Sequence, residues 1–166
     1  MMYGLKDIEQ FFFDAMRIGY AANPKETTLI DLPGSKVIII QDRGFKMVDL
    51  WFVGGNDKSA GSTMIFADNR LVWKMDYRGQ YQKEEIDFLK SALRAEYNKD
   101  YVQSAAPEFF RGCRGPLLFL GSNGLAYTNN VKQGSTFYQF EGREEIVSRT
   151  AGLVVGHHDY EGILLQ

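Results

Sequence analysis

Cysteine is nearly missing from this chain: Cys113 is the only one among 166 residues. That rules out an internal disulfide and any site built from several thiolates, so neither a secreted disulfide scaffold nor a structural zinc finger is available. Histidine is almost as scarce, with His157 and His158 alone. No apolar run approaches the roughly 18–20 residues of a membrane span, and Asp7 and Glu9 stand where a signal peptide would be basic and then continuously apolar. Excess charge of either sign is missing too: 19 Lys+Arg face 21 Asp+Glu, a formal net charge of −2, which argues against direct binding to nucleic acid. The expectation is a soluble, cytoplasmic protein with no membrane partner, no bound cofactor and no resident metal.

What is present is an ordinary globular balance, 45% apolar and 24% charged, in a length that suits one domain over residues 1–166. Leu5, Ile8, Phe12 and Ala15/Met16 recur at three- and four-residue steps, predicting an amphipathic helix that stops near Gly19. Residues 20–35 carry turn chemistry and read as a connector. Lys36–Gln41 and Phe45–Val53 read as strands divided at Gly44. Gly54–Gly61 reads as a glycine-rich loop, followed by strands Ser62–Ala67 and Leu71–Tyr77 around the turn Asp68-Asn69-Arg70. From Lys83 to Asn98 the period changes: Ile86, Leu89, Leu93 and Tyr97 line one face of a second, central helix. Ala105–Gly115 is irregular. Strand patterns return at Leu125–Asn129, at Phe137–Phe140 with Glu145–Val147, and at Val154–Tyr160.

The chain echoes itself. Asp76-Tyr77-Arg78-Gly79 returns as Asp159-Tyr160-Glu161-Gly162, and Gly61 with Ile65 matches Gly142 with Ile146. Such collinear matches read as an internal duplication of about residues 45–80 and 124–163. The fold class expected is α+β, with a three-stranded antiparallel meander present twice, as one curved sheet or two facing sheets, covered by the N-terminal and central helices. Strand alternation puts Trp73, Met75 and Tyr77 on one face, and Gly156, His158 and Tyr160 at the equivalent places. Glycine in place of tryptophan leaves a volume where a pocket can form, unless a neighbouring aromatic fills it.

Phe45–Gly79, the Arg-Gly-Pro within Arg111–Pro116, Phe140–Ile146 and His158–Gly162 together resemble an uncharacterised bacterial and phage domain family. That family often forms the C-terminal, sensory part of helix-turn-helix regulators of the XRE type. The resemblance runs in order over roughly residues 5–165, and rests on the Gly-Gly loop, the Trp-x-Met-x-Tyr-x-Gly strand and the Phe-x-Gly-x-Glu segment. This chain departs from it at Gly156-His157-His158-Asp159. The resemblance implies the fold more than an activity. With no DNA-binding module ahead of these residues, a regulator role is expected to need a separate partner.

Several constellations could carry chemistry. The glycine-rich loop with Lys58 and Ser62/Thr63 lacks Walker spacing, and a hairpin loop is the simpler reading. His157 and His158 point to opposite faces of one strand, which argues against a zinc site. Cys113, between two arginines, would need a histidine nearby to act as a nucleophile. Arg111 and Arg114, beside Phe109 and Phe110, suit a flat anion. The expected function is a non-enzymatic binding module, a sensor or a sequestering sponge, for a small anionic or nucleotide-like ligand held where the repeats meet. Trp51, Trp73 and Tyr160 would stack on it, Arg111 and Arg114 would supply charge, and His158 would stand beside it; no catalytic residue is assigned. The alternatives are a hydrolase using His157 or His158 with Asp159 or Glu144, and a protein–protein interaction domain. Self-association as a homodimer is compatible with all three.

Overall fold

A computed structural model describes residues 4–97 and 117–166. Helix α1 (Leu5–Ile18) starts where the Asp7 carboxylate accepts the Gly4 N–H at 2.9 Å, satisfying a donor that the first turn would leave bare. It ends against Gly19, and of the apolar stripe expected from its spacing Ile8, Phe12, Ala15 and Met16 are buried, together with Phe11, while Leu5 is exposed. The connector contributes one β-bridge, Thr27 to Val37.

Four strands follow as a meander: β1 (Ser35–Asp42), β2 (Phe45–Val53), β3 (Lys58–Ala67) and β4 (Arg70–Tyr81). Two of its turns are two-residue hairpins with left-handed backbone at both centres, Arg43-Gly44 and Asp68-Asn69. That is the turn geometry that matches strand twist, and Gly, Asn and Asp tolerate it best. Helix α2 (Ile86–Tyr97) then buries Leu89, Leu93 and Tyr97, as its period required. A second meander closes the chain: β5 (Leu117–Leu120), β6 (Leu125–Val131), β7 (Gln139–Ser148) and β8 (Leu153–Leu164).

The eight strands of the described residues belong to one open antiparallel sheet, in the order β1-β2-β3-β4-β8-β7-β6-β5. The fold is therefore α+β, and of the two expected arrangements it is the single sheet. Each half supplies four strands rather than three: β1 stands outside the segment that repeats in sequence, and β5 lies before it. The halves join along β4 and β8, where Tyr77 pairs with Tyr160. About that pair they match in register: Trp51, Gly61 and Tyr77 stand in one row across β2, β3 and β4, as Val131, Gly142 and Tyr160 do across β6, β7 and β8. This likeness supports the duplication, which we propose as the origin of the two halves.

Both helices lie on the face that carries Trp73 and Tyr77. Phe11 stacks on Phe45 at 5.1 Å, Phe12 lies 4.8 Å from Trp73, and Phe88 of α2 meets Phe119 of β5. Trp73 is fully buried. It stacks on Phe137 at 5.3 Å and Phe140 at 5.7 Å, and its indole N–H donates to the Phe137 carbonyl at 3.1 Å.

Candidate functional site

On the helix side of the sheet, the row below Tyr77–Tyr160 runs Ser59, Gly79, His158, Glu144, Asn129 across β3, β4, β8, β7 and β6. Paired residues of an antiparallel sheet share a face, so these side chains stand side by side. Gly79 decides what happens next. A Cβ there would overlap the His157 carbonyl oxygen and lie 2.7 Å from the His158 ring. Because it is absent, the imidazole leans over β4 and reaches Ser59 two strands away.

The contacts form a chain. Ser59 Oγ lies 2.8 Å from His158 Nε2, His158 Nδ1 lies 3.1 Å from Glu144 Oε1, and the Tyr127 hydroxyl donates to Glu144 Oε2 at 2.7 Å. Glu144 is completely buried and the His158 side chain nearly so. A carboxylate accepts, so Nδ1 carries a proton, and in the neutral ring Nε2 accepts the Ser59 hydroxyl. Tyr81 stands edge-on to the imidazole at 4.6 Å, and Tyr77 lies 5.7 Å away. A hydroxyl, an imidazole and a carboxylate in this order can pass a proton from the hydroxyl to Nε2 while the carboxylate fixes the ring. Beside them, Asp49 accepts the Thr63 hydroxyl at 3.0 Å and the Tyr77 hydroxyl at 2.8 Å.

These groups open onto a cavity of about 520 Å³ between the sheet and α2. Trp51, Ser59, Tyr77, Tyr81, Asp49 and His158 form its floor, Ile86, Leu89, Lys90 and Leu93 its helical wall, and Met16 and Tyr20 one end. Tyr20 stands edge-on to Trp51 at 5.6 Å, and Lys90 Nζ lies 4.5 Å over the Tyr20 ring. Lys36 pairs with Glu26 at 3.3 Å on the rim. A wider hollow of about 800 Å³ lies on the opposite face, among Ser62, Asp76, Arg78, Arg143, Asp159 and Glu161. Its charges are interleaved: Arg143 holds both Glu145 at 2.7 Å and Asp159 at 2.8 Å.

Of the residues expected from sequence to touch a ligand, Trp51 and His158 line the cavity under α2. Trp73 is core and lies outside it. Tyr160 also lies outside it: its hydroxyl donates to Asn129, its ring covers Gly142, and it borders the opposite hollow. Arg111, Arg114 and Cys113 fall outside the described residues. The empty volume expected at Gly156 is filled by Tyr81, whose ring occupies the space a side chain would take. The cavity therefore lies over β2–β4 and reaches across the seam to His158 of β8.

Among the histidine–carboxylate pairings considered from sequence, the fold joins His158 with Glu144 and puts His157 and Asp159 on the other face. Among the described residues no group of three His, Cys, Asp or Glu side chains is arranged to hold a metal ion. Among the described residues no helix is long and apolar enough to cross a membrane. Sequence reasoning missed Ser59, because Gly54–Gly61 read as loop. In the structure the loop ends at Asp57, and Ser59 is the second residue of β3. The available signal was parity: Ser59, Gly61, Thr63 and Ile65 alternate onto one face. No protein-family model, curated protein or solved structure matches this chain.

Proposed function

We propose that the chain binds a flat small molecule in the cavity beneath α2, as a sensor or a sequestering protein. The observation that carries this is the make-up of the wall: Tyr20, Trp51, Tyr77 and Tyr81 enclose a space of about 520 Å³ into which a few polar groups, Asp49, Ser59 and His158, converge. Ligand sites are commonly concave, mostly apolar, and fitted with a small number of placed polar groups. Lys36, Lys83 and Lys90 in the lining stand beside Glu26, Asp49, Asp57 and Asp87, so positive charge is not in excess there. A preference for an anionic or nucleotide-like ligand would have to come from Arg111 and Arg114.

The test is thermal unfolding against a library of flat metabolites, with mass spectrometry of whatever co-purifies. A ligand at a hundredfold excess over its Kd raises stability by about 2.7 kcal/mol. Trp51→Ala should abolish that gain. Trp73→Ala should lower the melting temperature yet leave a gain on ligand addition. Arg111→Ala with Arg114→Ala should remove the preference for anionic members of the library. Stabilisation that survives Trp51→Ala would place the ligand elsewhere.

A further inference from the structure

We infer that the cavity carries out acyl transfer, with Ser59 as nucleophile, His158 as its general base and Glu144 as the group that positions the imidazole. The inference rests on the cavity being a ligand site and makes the ligand a substrate, an ester of a flat acid or alcohol.

Three observations carry it. The Ser59 hydroxyl and the His158 ring both face the cavity, 2.8 Å apart. The imidazole is held from behind by Glu144 at 3.1 Å, and Glu144 is held in turn by Tyr127 at 2.7 Å, so the base has one orientation. Finally, the fold does not need polar groups here. Turning the sheet about the Tyr77–Tyr160 pair carries Ser59, His158 and Glu144 onto Phe140, Met75 and Thr63. Two of those three are apolar, and Phe140 packs against Trp73. The same pattern of rows is thus closed by packing on one side of the Tyr77–Tyr160 pair and carries a hydroxyl, an imidazole and a carboxylate on the other.

The chemistry balances with water as the second reactant. Ser59 Oγ bonds to the ester carbonyl carbon as its proton passes to Nε2; the bond to the alcohol oxygen breaks, and Nε2 returns the proton to that oxygen. Water then attacks the acyl carbon and gives a proton to Nε2. The bond to Oγ breaks, Oγ regains the proton, and a carboxylic acid leaves. Besides Glu144, the charged groups of the lining are Glu26, Lys36, Asp49, Asp57, Lys83, Asp87 and Lys90.

The test is labelling of the full chain with an alkyl fluorophosphonate, which loses fluoride as Oγ bonds to phosphorus. Intact mass and peptide mapping should show one adduct, on Ser59, absent in Ser59→Ala. His158→Gln should slow labelling about a hundredfold or more, whereas His157→Gln, altered on the opposite face, should label at the wild-type rate. Glu144→Gln should slow it at least tenfold and move the pH midpoint of the labelling rate downward, since an imidazole without its carboxylate loses its proton more readily. Should His158→Gln fail to fold, Tyr127→Phe, which deletes one oxygen, should still slow labelling of Ser59. No adduct on Ser59 in the folded protein, or a rate indifferent to His158 and to Tyr127, overturns the inference. If flat ligands still stabilise a protein that does not label, binding stands and acyl transfer falls; if neither occurs, both fall.

Discussion

Three glycines shape the helix side of the sheet by what they lack: Gly61 lies under Tyr77, Gly79 under His158 and Gly142 under Tyr160. Each lets a ring cross one strand and bond on the far side. Gly79→Ala should cost about 2 kcal/mol, the scale of overpacking a filled site, because its new methyl meets the His157 carbonyl, which is backbone and cannot swing away. A urea midpoint equal to wild type would contradict this. Glu85, only 8% exposed, has one carboxylate oxygen without a hydrogen-bond partner among the described residues. Burial pushes its pKa up, the Gln82 backbone contact opposes this, and Glu84 and Asp57 push it further up. A carboxyl raised in the folded state contributes stability fully below its unfolded pKa and loses it as pH rises through the folded value. Glu85→Gln should therefore match wild type near pH 4 and become more stable by on the order of 1 kcal/mol near pH 7. Melting curves at both values check this, and a difference independent of pH would refute it. At this scale the sequence offered His157 or His158 with Asp159 or Glu144, because histidines are few, and only the pairing of β8 with β7 selects His158 with Glu144. It concealed Ser59, since Lys58-Ser59-Ala60-Gly61 has the composition of a turn and becomes strand only by pairing with β2 and β4.

Periodicity carried the elements well where one face is apolar. Ile8, Phe12, Ala15 and Met16 of α1 and Leu89, Leu93 and Tyr97 of α2 are buried as their spacing demanded, whereas Leu5 is exposed and Ile86 half-buried where the helices begin, and β2 spans the residues its pattern marked. It fell short where pairing, not composition, sets the boundary. β4 and β8 run to Tyr81 and Leu164, each beyond its apolar pattern, because each is the other's neighbour across the seam. β7 is continuous through Glu141–Glu144, where charged residues and Gly142 had suggested a break. Trp73 reads from sequence as a stacking surface because aromatic side chains serve both cores and ligands; only α1 and Phe137, brought from elsewhere in the chain, decide for the core. Trp73→Ala should accordingly cost about 3–5 kcal/mol, typical of large aromatic truncations, with denaturant unfolding as the measure. A loss well under 1 kcal/mol would mean that α1 does not pack there.

The molecule as a whole is two meanders sharing one sheet, with the helices on one side. Similar rows meet at the Tyr77–Tyr160 pair, yet the two hollows they create differ in content. One is filled by Phe12, Trp73, Phe137 and Phe140; the other keeps a cavity beneath α2, with a hydroxyl from the first half and an imidazole and carboxylate from the second. The echo of Asp76-Tyr77-Arg78-Gly79 in Asp159-Tyr160-Glu161-Gly162 was visible in the residues themselves. The site was not, because it depends on β8 pairing with β4 of the other half as well as with β7 of its own. The protonation pattern of the His158 ring, read by nitrogen NMR on histidine-labelled protein at neutral pH, probes that arrangement most directly. Proton transfer from Ser59 to His158, with Glu144 holding the ring, requires a neutral ring protonated at Nδ1 and bare at Nε2. A proton on Nε2 with Nδ1 bare, or a ring charged throughout the neutral range, would contradict it.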